Sequence, residues 1–577
     1  MSVWYVSGHV SSDFNRPPRA ADARAGAGCT SGTVGHRKGL AFMLQASTSS
    51  SPDVEFFAFS ERGPWSLDPA RITWLAGLTA LRVQTQAELP ELLRRRTIPP
   101  LGRFLETAYR IGGALLAWRI KEHPQGGSVS RAGISRRLRQ AAEPLGPAYI
   151  KLGQIISSGK GLFPDELVDE FKQLRDQVKP ESFDVVRHTV EEDLGRSLES
   201  VFAAFDRECL ASASIAQVHA ATLRTGEDVV VKVQRPQVAK SVRQDIQAMA
   251  WIAPHLVGRI PVSALANPPA LVELFAETII EELDFRLEAE NMLDIARVFA
   301  EAGKRIIVVP RPHPELVTKR VLVMERLSGF TYQDVDAMKA AGIDTTAMLQ
   351  ALIISFLEGA MIFGVFHGDL HGGNLFVMPE GKIALFDYGI TARMDETRRL
   401  AFLRLMMLGA ANDIRGQLEA YRDLGALRPD ADIEQIIRDL KLDQPVVDPT
   451  KLSSAQLAHE IQYVTKALIG YGAKLPKPLM VFVKNMLFID DAIAHLAPEI
   501  NLFEQVVQIY TYFAETHGER MVAESGIDPS RSSLDLTGFK ASIGLSNDVE
   551  SLTHRDLQKR REIIRARLDE ARDRPRA

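Results

Sequence analysis

The stretch Phe366–Gly389, FHGDLHGGNLFVMPEGKIALFDYG, sets two aspartates and an asparagine at fixed intervals. Asn374 follows Asp369 by five residues, and Asp387 follows Asn374 by thirteen. Phosphoryl transfer needs groups of these kinds. Magnesium on a nucleotide triphosphate takes hard oxygen ligands and keeps several waters, so one carboxylate and one amide oxygen suffice; Asp387 and Asn374 supply them. The attacking nucleophile needs an acceptor for its proton, a role for Asp369. LFVMPEGKIALF between them reads as a hairpin turning at Pro379–Gly381, which would carry Asn374 beside Asp387. Each short piece also arises by chance in an acidic loop; the complete ordered set carries the reading, and its spacing matches the catalytic-loop and Asp-x-Gly pattern of kinases.

Upstream, VVVKVQRP places Lys232 inside an apolar strand. A lysine there costs free energy unless it finds a partner, or points out from an edge strand. In the kinase pattern it holds the α- and β-phosphates and pairs with a helix glutamate. EELDFRLEAEN offers Glu281, Glu282, Asp284, Glu288 and Glu290. Continuous helical spacing would put Glu281, Asp284 and Glu288 on one face. The preceding loop, ASASIAQVH from Ala211 to His219, has small residues where a glycine-rich loop is expected. Alanine permits close approach of phosphate but lacks glycine's freedom at positive φ, so the loop should be stiffer. Taken alone it is also a plain β-turn.

The chain has 577 residues, 46% hydrophobic and 25% charged, with a net charge of −4. That is room for two to four domains or one two-lobed domain with extensions, and it gives no sign of a nucleic-acid binder. Two cysteines exclude a disulfide scaffold or a cysteine-rich metal site. The N-terminus has no basic segment followed by an apolar run, so no signal peptide is expected. The longest apolar stretch, Ala347–Phe366, contains Gln350 and Glu358 and runs into the catalytic loop; a buried helix is expected rather than a membrane span.

The organisation reads as an α+β fold. Residues 1–95 are a poorly ordered or appended segment. Residues 96–182 are helical, with Leu101, Phe104, Leu105, Ala108, Ile111 and Leu115 at helical spacing. Residues 183–327 carry strands, including a hairpin at RTGE and ELVTKRVLVMERL ending in a connector. Residues 328–520 form a helical lobe, and 521–577 a charged, helix-prone tail.

Together these residues resemble the UbiB-type atypical kinases, also called aarF-domain or ADCK kinases. LGPAYIKLGQIISSGKGLFPDEL contains the family's Lys-x-Gly-Gln motif as Lys151, Gly153 and Gln154. The alanine-rich loop is present as Ala211, Ser212, Ala213 and Ser214, followed by Gln217. The strand lysine is Lys232, and the Glu-x-Asp motif is Glu282 and Asp284. The likeness is close over residues 140 to 395. It implies a two-lobed, protein-kinase-like fold with the Lys-x-Gly-Gln helices over the active site. ATP or ADP would bind with Mg2+ at the alanine-rich loop, Gln217, Lys232 and the connector residues Glu325 and Leu327. Asp369, Lys232 and Glu288 would be catalytic, and Asn374 and Asp387 the metal ligands. Lys151 would lie near Glu282 and Asp284, and Gln154 would point to the nucleotide, a regulatory set. The family implies ATPase or phosphotransferase activity linked to isoprenoid quinone or lipid metabolism, and a lipid, quinone precursor or other small apolar molecule as partner. Expected location is cytoplasmic, or peripheral at a membrane.

The chain departs from the family pattern in places. Gly372 stands where proline is common, and SSGKGLFP replaces the usual Ser-Thr-Arg stretch. Gly368 precedes Asp369 where many protein kinases have an arginine that binds a phosphorylated activation loop. Ala497–Glu499, APE, lies too far beyond Gly389 to end an activation segment. Two other readings stay open: a small-molecule kinase of the aminoglycoside or choline type, which also shows HGDLH, and a nucleotide-binding pseudokinase scaffold.

Overall fold

The computed structural model describes residues 58–94, 102–157, 164–174, 179–256, 268–303, 306–444, 448–453, 476–527 and 533–573, except residues 62 and 126, with isolated positions between 456 and 473. Residues 1–57, most of the segment expected to be poorly ordered or appended, lie outside this set. Residues 58–94 pack onto the body of the protein. Phe59 bridges to Val309, Trp74 donates its indole N–H to the His313 carbonyl at 3.0 Å, and helix α1 (Leu78–Leu93) follows.

Helices α2 (Arg103–Lys121), α3 (Gly127–Ala142), α4 (Pro147–Ser157) and α5 (Asp165–Phe171) come next. The apolar spacing that predicts a helix from residue 101 produces α2, but only part of that face is covered. Ile111 and Leu115 pack on the core, while Leu105 remains exposed, as do Tyr109, Leu116 and Ile120. Lys151 and Gly153 lie on α4. A Cβ at Gly153 would stand 2.3 Å from Leu174 Cδ1 and 2.8 Å from Phe171 Cδ1, so glycine lets α4 lie close against α5 and the turn after it.

The first lobe begins with α6 (Phe183–Leu194) and strands β1 (Phe202–Phe205), β2 (Ala211–Ser212), β3 (Ala216–Leu223) and β4 (Asp228–Gln234). β3 and β4 form the antiparallel hairpin around RTGE. Strand alternation then decides which side chains face the site. Val229, Val231 and Val233 turn outward onto Val186 and Val190 of α6. Lys232, between them, turns to the opposite face. Helices α7 (Val238–Leu256) and α8 (Pro268–Ile279) follow, then α9 (Phe285–Glu301). α7 contacts α1, α2, α4 and α8, and so ties the N-terminal helices to this lobe. β5 (Ile307–Val308) leads into β6 (Pro312–Val317) and β7 (Val321–Glu325), which complete the sheet in the order β1-β3-β4-β7-β6, with β2 pairing β3.

The second lobe holds β8 (Phe330–Thr331), α10 (Thr345–Glu358), β9 (Val365–His367), β10 (Leu375–Val377), β11 (Ile383–Leu385) and β12 (Thr391–Arg393). β10 and β11 pair antiparallel, Leu375 opposite Leu385, as the hairpin reading required. α10 and the π-helical turn after it span Thr345–Phe363, the one helix among the described residues long and apolar enough to cross a membrane; 67% of that window is buried inside the fold. Helices α11 (Glu396–Ala410), α12 (Ile414–Asp423), α13 (Lys477–Leu496), α14 (Leu502–Ser525) and α15 (His554–Asp573) finish the lobe. α15 is docked: His554 and Arg561 both meet Asp490, and Ile564 and Leu568 pack on Leu457. The whole is α+β, two-lobed and protein-kinase-like, with N-terminal helices beside the cleft and a helical C-terminal lobe.

Candidate active site

Lys232 enters the cleft from β4 and meets α9. Its Nζ lies 2.7 and 2.9 Å from the two carboxylate oxygens of Glu288, 3.3 Å from Asp387 Oδ1, and 5.4 Å from the centroid of the Phe285 ring. Burial favours the neutral amine, but Asp387 and Glu288 outweigh it and hold the Lys232 pKa above its ordinary value. The expected shared face of Glu281, Asp284 and Glu288 does not form. A 3-10 turn at Glu281–Leu283 and an extended Asp284 (φ −138°, ψ 104°) interrupt the chain before α9. Glu281 turns to Arg82 instead, 3.6 Å away. Asp284 caps α9 through the Arg286 N–H and is held by the Arg286 guanidinium at 2.7 and 3.0 Å.

Lys151 therefore reaches one member of the Glu-x-Asp motif. Its Nζ is 3.2 Å from Glu282 Oε2. Asp284, expected beside it, is committed to Arg286 and the helix cap. Glu282 is buried and its Oε1 has no hydrogen-bond partner among the described residues. Burial raises its pKa to about 7 against the pull of Lys151. A Cβ at Gly389 would lie 3.2 Å from Glu282 Cγ, so the pair sits directly on the Asp387–Gly389 turn. Gln154, one turn after Lys151, is half-buried.

Asp387 has φ +56°, a left-handed conformation uncommon for a residue other than glycine and frequent at functional sites. Desolvation works against its charge; Lys232, Lys151 and the Gly389 N–H prevail and hold its pKa well below the carboxylate range. Asn374 lies at the other end of the hairpin, where its backbone carbonyl accepts from the Phe386 N–H at 2.9 Å. Its amide nitrogen donates to the Asp369 carbonyl at 3.1 Å. That commits the nitrogen and turns the amide oxygen into the available acceptor. One carboxylate and one amide oxygen form a donor set that suits magnesium.

Asp369 is held between lobes of charge. Burial raises its pKa, and Lys484, Lys151 and His371 bring it down to about 2. His367, two residues earlier, accepts the Asp369 N–H at Nδ1 (3.1 Å), which leaves Nε2 to donate to the Phe386 carbonyl at 3.2 Å. Acceptance at Nδ1 needs the neutral ring, and burial lowers its pKa accordingly. Gly368 donates its N–H to the Ile390 carbonyl at 2.8 Å, and a Cβ there would come within 2.8 Å of that same oxygen. A side chain is thus excluded by backbone. At Gly372 a Cβ would fall 2.6 Å from Tyr332 Cδ1, so the tyrosine ring occupies the space next to this departure from the family pattern.

Two further residues hold the loop from outside it and are invisible to motif reading. Lys484 and Asn485 lie on α13. Lys484 Nζ makes an ion pair with Asp369 Oδ1. Asn485, fully buried, accepts the Leu370 N–H at 3.1 Å and donates to the His367 carbonyl.

The alanine-rich loop is the β2–β3 turn, pinned from below by Arg235. The guanidinium donates to the Ala213 carbonyl at 3.0 Å, Ser212 Oγ at 2.8 Å, the Lys179 carbonyl at 3.1 Å and Glu181 at 2.8 Å. Ala211 is exposed and Ser214 buried. Gln217 accepts the Glu181 N–H and lies 3.4 Å from His219, beneath the loop. In the connector, Leu327 packs with Val308, Ala384 and Phe376. The Glu325 carboxylate takes the Ser60 hydroxyl of the N-terminal segment and the Arg311 N–H, so its side chain is already committed.

The family model for the ABC1 atypical kinase-like domain matches residues 173–421. An uncharacterized protein of Mycobacterium tuberculosis is 35% identical over 390 residues, 66% of this chain and 78% of that one. A protein of Sodalis glossinidius named as a probable protein kinase UbiB is 28% identical over 403 residues, 68% of this chain and 72% of its own length. A solved structure of an M. tuberculosis protein in complex with erythromycin is 22% identical, with a TM-score of 0.38 over 63% of this chain and 90% of that one. By its sequence relatives, this chain belongs to the ABC1 atypical kinase-like family, which includes the UbiB kinases.

Proposed function

We propose that this chain is an ATP-dependent phosphotransferase or ATPase that uses Mg2+ and serves isoprenoid quinone or lipid metabolism. The observation that carries the reading is the meeting of Lys232 with both Glu288 and Asp387, opposite a loop that presents Asp369 and Asn374. Lys232, fixed by two carboxylates, faces the cleft as a cation for the α- and β-phosphates. The turn at Ala211–Ser214 would lie over them, its Ala213 N–H held by the Ala216 carbonyl at 2.8 Å, and Leu327 with Val308 and Ala384 would offer an apolar floor to the base. Asp387 and the Asn374 amide oxygen would hold magnesium, which supplies positive charge to the phosphate oxygens. Asp369 accepts the proton of the attacking hydroxyl or water.

Lys151 and Glu282 hold α4 beside these groups, a position that would restrict a peptide and favour water or a small acceptor. A quinone precursor or lipid, met at a membrane surface from the cytoplasmic side, fits that restriction and the UbiB relatives. The test is ATP turnover by purified protein with and without magnesium. Wild type should turn over ATP only with magnesium, and Asp387→Ala, which deletes the one carboxylate assigned to the metal, should do so at no more than about one-hundredth of that rate. Equal turnover by a folded Asp387→Ala protein would remove the assignment. Comparison of lipid extracts from cells with and without the protein identifies the pathway.

A further inference from the structure

The catalytic loop contains a carboxylate, two histidines and an asparagine, and no cation of fixed charge between Phe366 and Asn374. A γ-phosphoryl group arriving beside Asp369 brings negative charge against negative charge, and two like charges a few ångströms apart in a cleft repel strongly. The fold meets this need from outside the loop. Lys484 projects from the middle of α13, a twenty-residue helix far along the chain, and its ammonium contacts Asp369 Oδ1 directly. Its side chain is 18% exposed and that of Asp369 14%, so the pair opens onto the cleft without dissolving into solvent. The next residue, Asn485, grips the backbone on either side of Asp369 through the Leu370 N–H and the His367 carbonyl. Helix and loop are therefore locked in register, and the ammonium cannot drift.

We propose that Lys484 is the cation that holds Asp369 and receives the γ-phosphate, a duty that the catalytic loop itself cannot discharge. The inference rests on the phosphoryl-transfer reading of this site. In the step it serves, the acceptor oxygen bonds to the γ-phosphorus while the bond from that phosphorus to the β,γ-bridging oxygen breaks. The acceptor's proton goes to Asp369, and the bridging electron pair leaves on ADP. Lys484 keeps one Asp369 oxygen occupied, so the other is aimed at the acceptor, and its remaining N–H donors face the phosphoryl oxygens.

Two measurements test this. The first is affinity for ATP and for ADP by thermal shift without magnesium, on wild type, Lys484→Met and Lys484→Arg. Loss of a γ-phosphate contact should weaken ATP binding about 10-fold and leave ADP binding unchanged, and Lys484→Arg should retain most of the ATP affinity. The second is steady-state ATP turnover. Lys484→Met should lower kcat by roughly 10²-fold. Ethylammonium added to Lys484→Ala should restore part of it, a rescue that a purely structural lysine would not show. A folded Lys484→Met protein with unchanged ATP affinity and unchanged kcat overturns the proposal while leaving the site reading intact. Parallel loss of ATP and ADP affinity, with no rescue by amine, assigns Lys484 a structural role and also overturns it. A wild-type protein that binds neither nucleotide overturns the site reading and this inference with it.

Discussion

Lys232 serves two carboxylates with one ammonium, and that sets how its variants should behave. Removing it leaves Glu288 buried without a counter-charge; removing Glu288 leaves the lysine with Asp387 alone. Each loss disorganises the same unit. Lys232→Ala and Glu288→Ala should therefore each lower kcat/KM for ATP by roughly 10²-fold or more, and the double variant should lose little beyond either one. Losses that add fully in the logarithm would show that Asp387, not Glu288, positions the lysine. Gly368 offers a second expectation of the same scale. Its added Cβ would meet the Ile390 carbonyl oxygen, which cannot rotate away as a side-chain tip could. Gly368→Ala should cost about 1–3 kcal/mol in urea unfolding and move the catalytic loop. A stability change below a few tenths would mean that the loop has a slack the backbone geometry does not suggest.

Elements explain why some of this was legible and some was not. Asp369, Asn374 and Asp387 stand on a loop and a hairpin, and Lys232 on an alternating strand, so local backbone rules bring them toward one another. Lys484 and Asn485 lie in FVKNML, where the apolar spacing announces a helix and says nothing about which loop it will face. Glu281 and Asp284 leave the predicted face for the opposite reason: a 3-10 turn interrupts the helical spacing that their intervals imply. Arg235 was likewise silent in sequence, yet it ties Ser212 and Ala213 in place. Because that anchor fixes one side of the turn, Ala211→Gly or Ala213→Gly should act through backbone freedom alone and change the ratio of ATP to ADP affinity. Identical ratios in all three proteins would count against the loop as a selectivity element. Strand β6 carries a pH-sensitive staple of its own. His313 Nδ1 accepts the N–H groups of Glu315 and Leu316, both at 3.1 Å, and the residue packs on Trp65 and accepts from Trp74. Burial lowers its pKa from 6.5 to about 4. The unfolded chain thus takes up the proton first as pH falls, so this stability is complete above about pH 6.5 and lost toward pH 4. With allowance for its partial exposure, wild type should lose about 1–2 kcal/mol more than His313→Gln between pH 6.5 and 4.5, measured by urea midpoints. Equal pH slopes would remove His313 as the cause.

At the scale of the whole molecule, the N-terminal helices and the cleft are one assembly. α7 joins α1, α2 and α4 to the first lobe, and α4 delivers Lys151 to Glu282 above the Asp387–Gly389 turn. The groups proposed for catalysis are already gathered: Lys232 is paired with Glu288, Asp387 meets it at 3.3 Å, and the loop at Asp369 is clamped by Asn485. What remains variable is access. We expect the Lys151–Glu282 pair to act as the latch that keeps α4 over the phosphoryl end of the cleft. Glu282 is weakly suited to lone burial, since its Oε1 already lacks a hydrogen-bond partner among the described residues. Deleting Lys151 leaves the whole carboxyl uncompensated, a change worth about 3 kcal/mol or more against the closed arrangement. Opening α4 would admit a hydroxyl of the protein itself to the γ-phosphate beside Asp369. Lys151→Ala should therefore remain folded, show faster amide hydrogen exchange in α4 and α5, and acquire phosphate on its own side chains when incubated with MgATP. Lys151→Ala combined with Asp369→Asn should show the same exchange and no phosphate, which separates opening from chemistry. A folded Lys151→Ala protein with wild-type exchange and no phosphate would mean that Lys151 takes part in nucleotide chemistry directly and that the helices are held over the cleft by packing, with Gly153 rather than Lys151 as the residue that sets their approach.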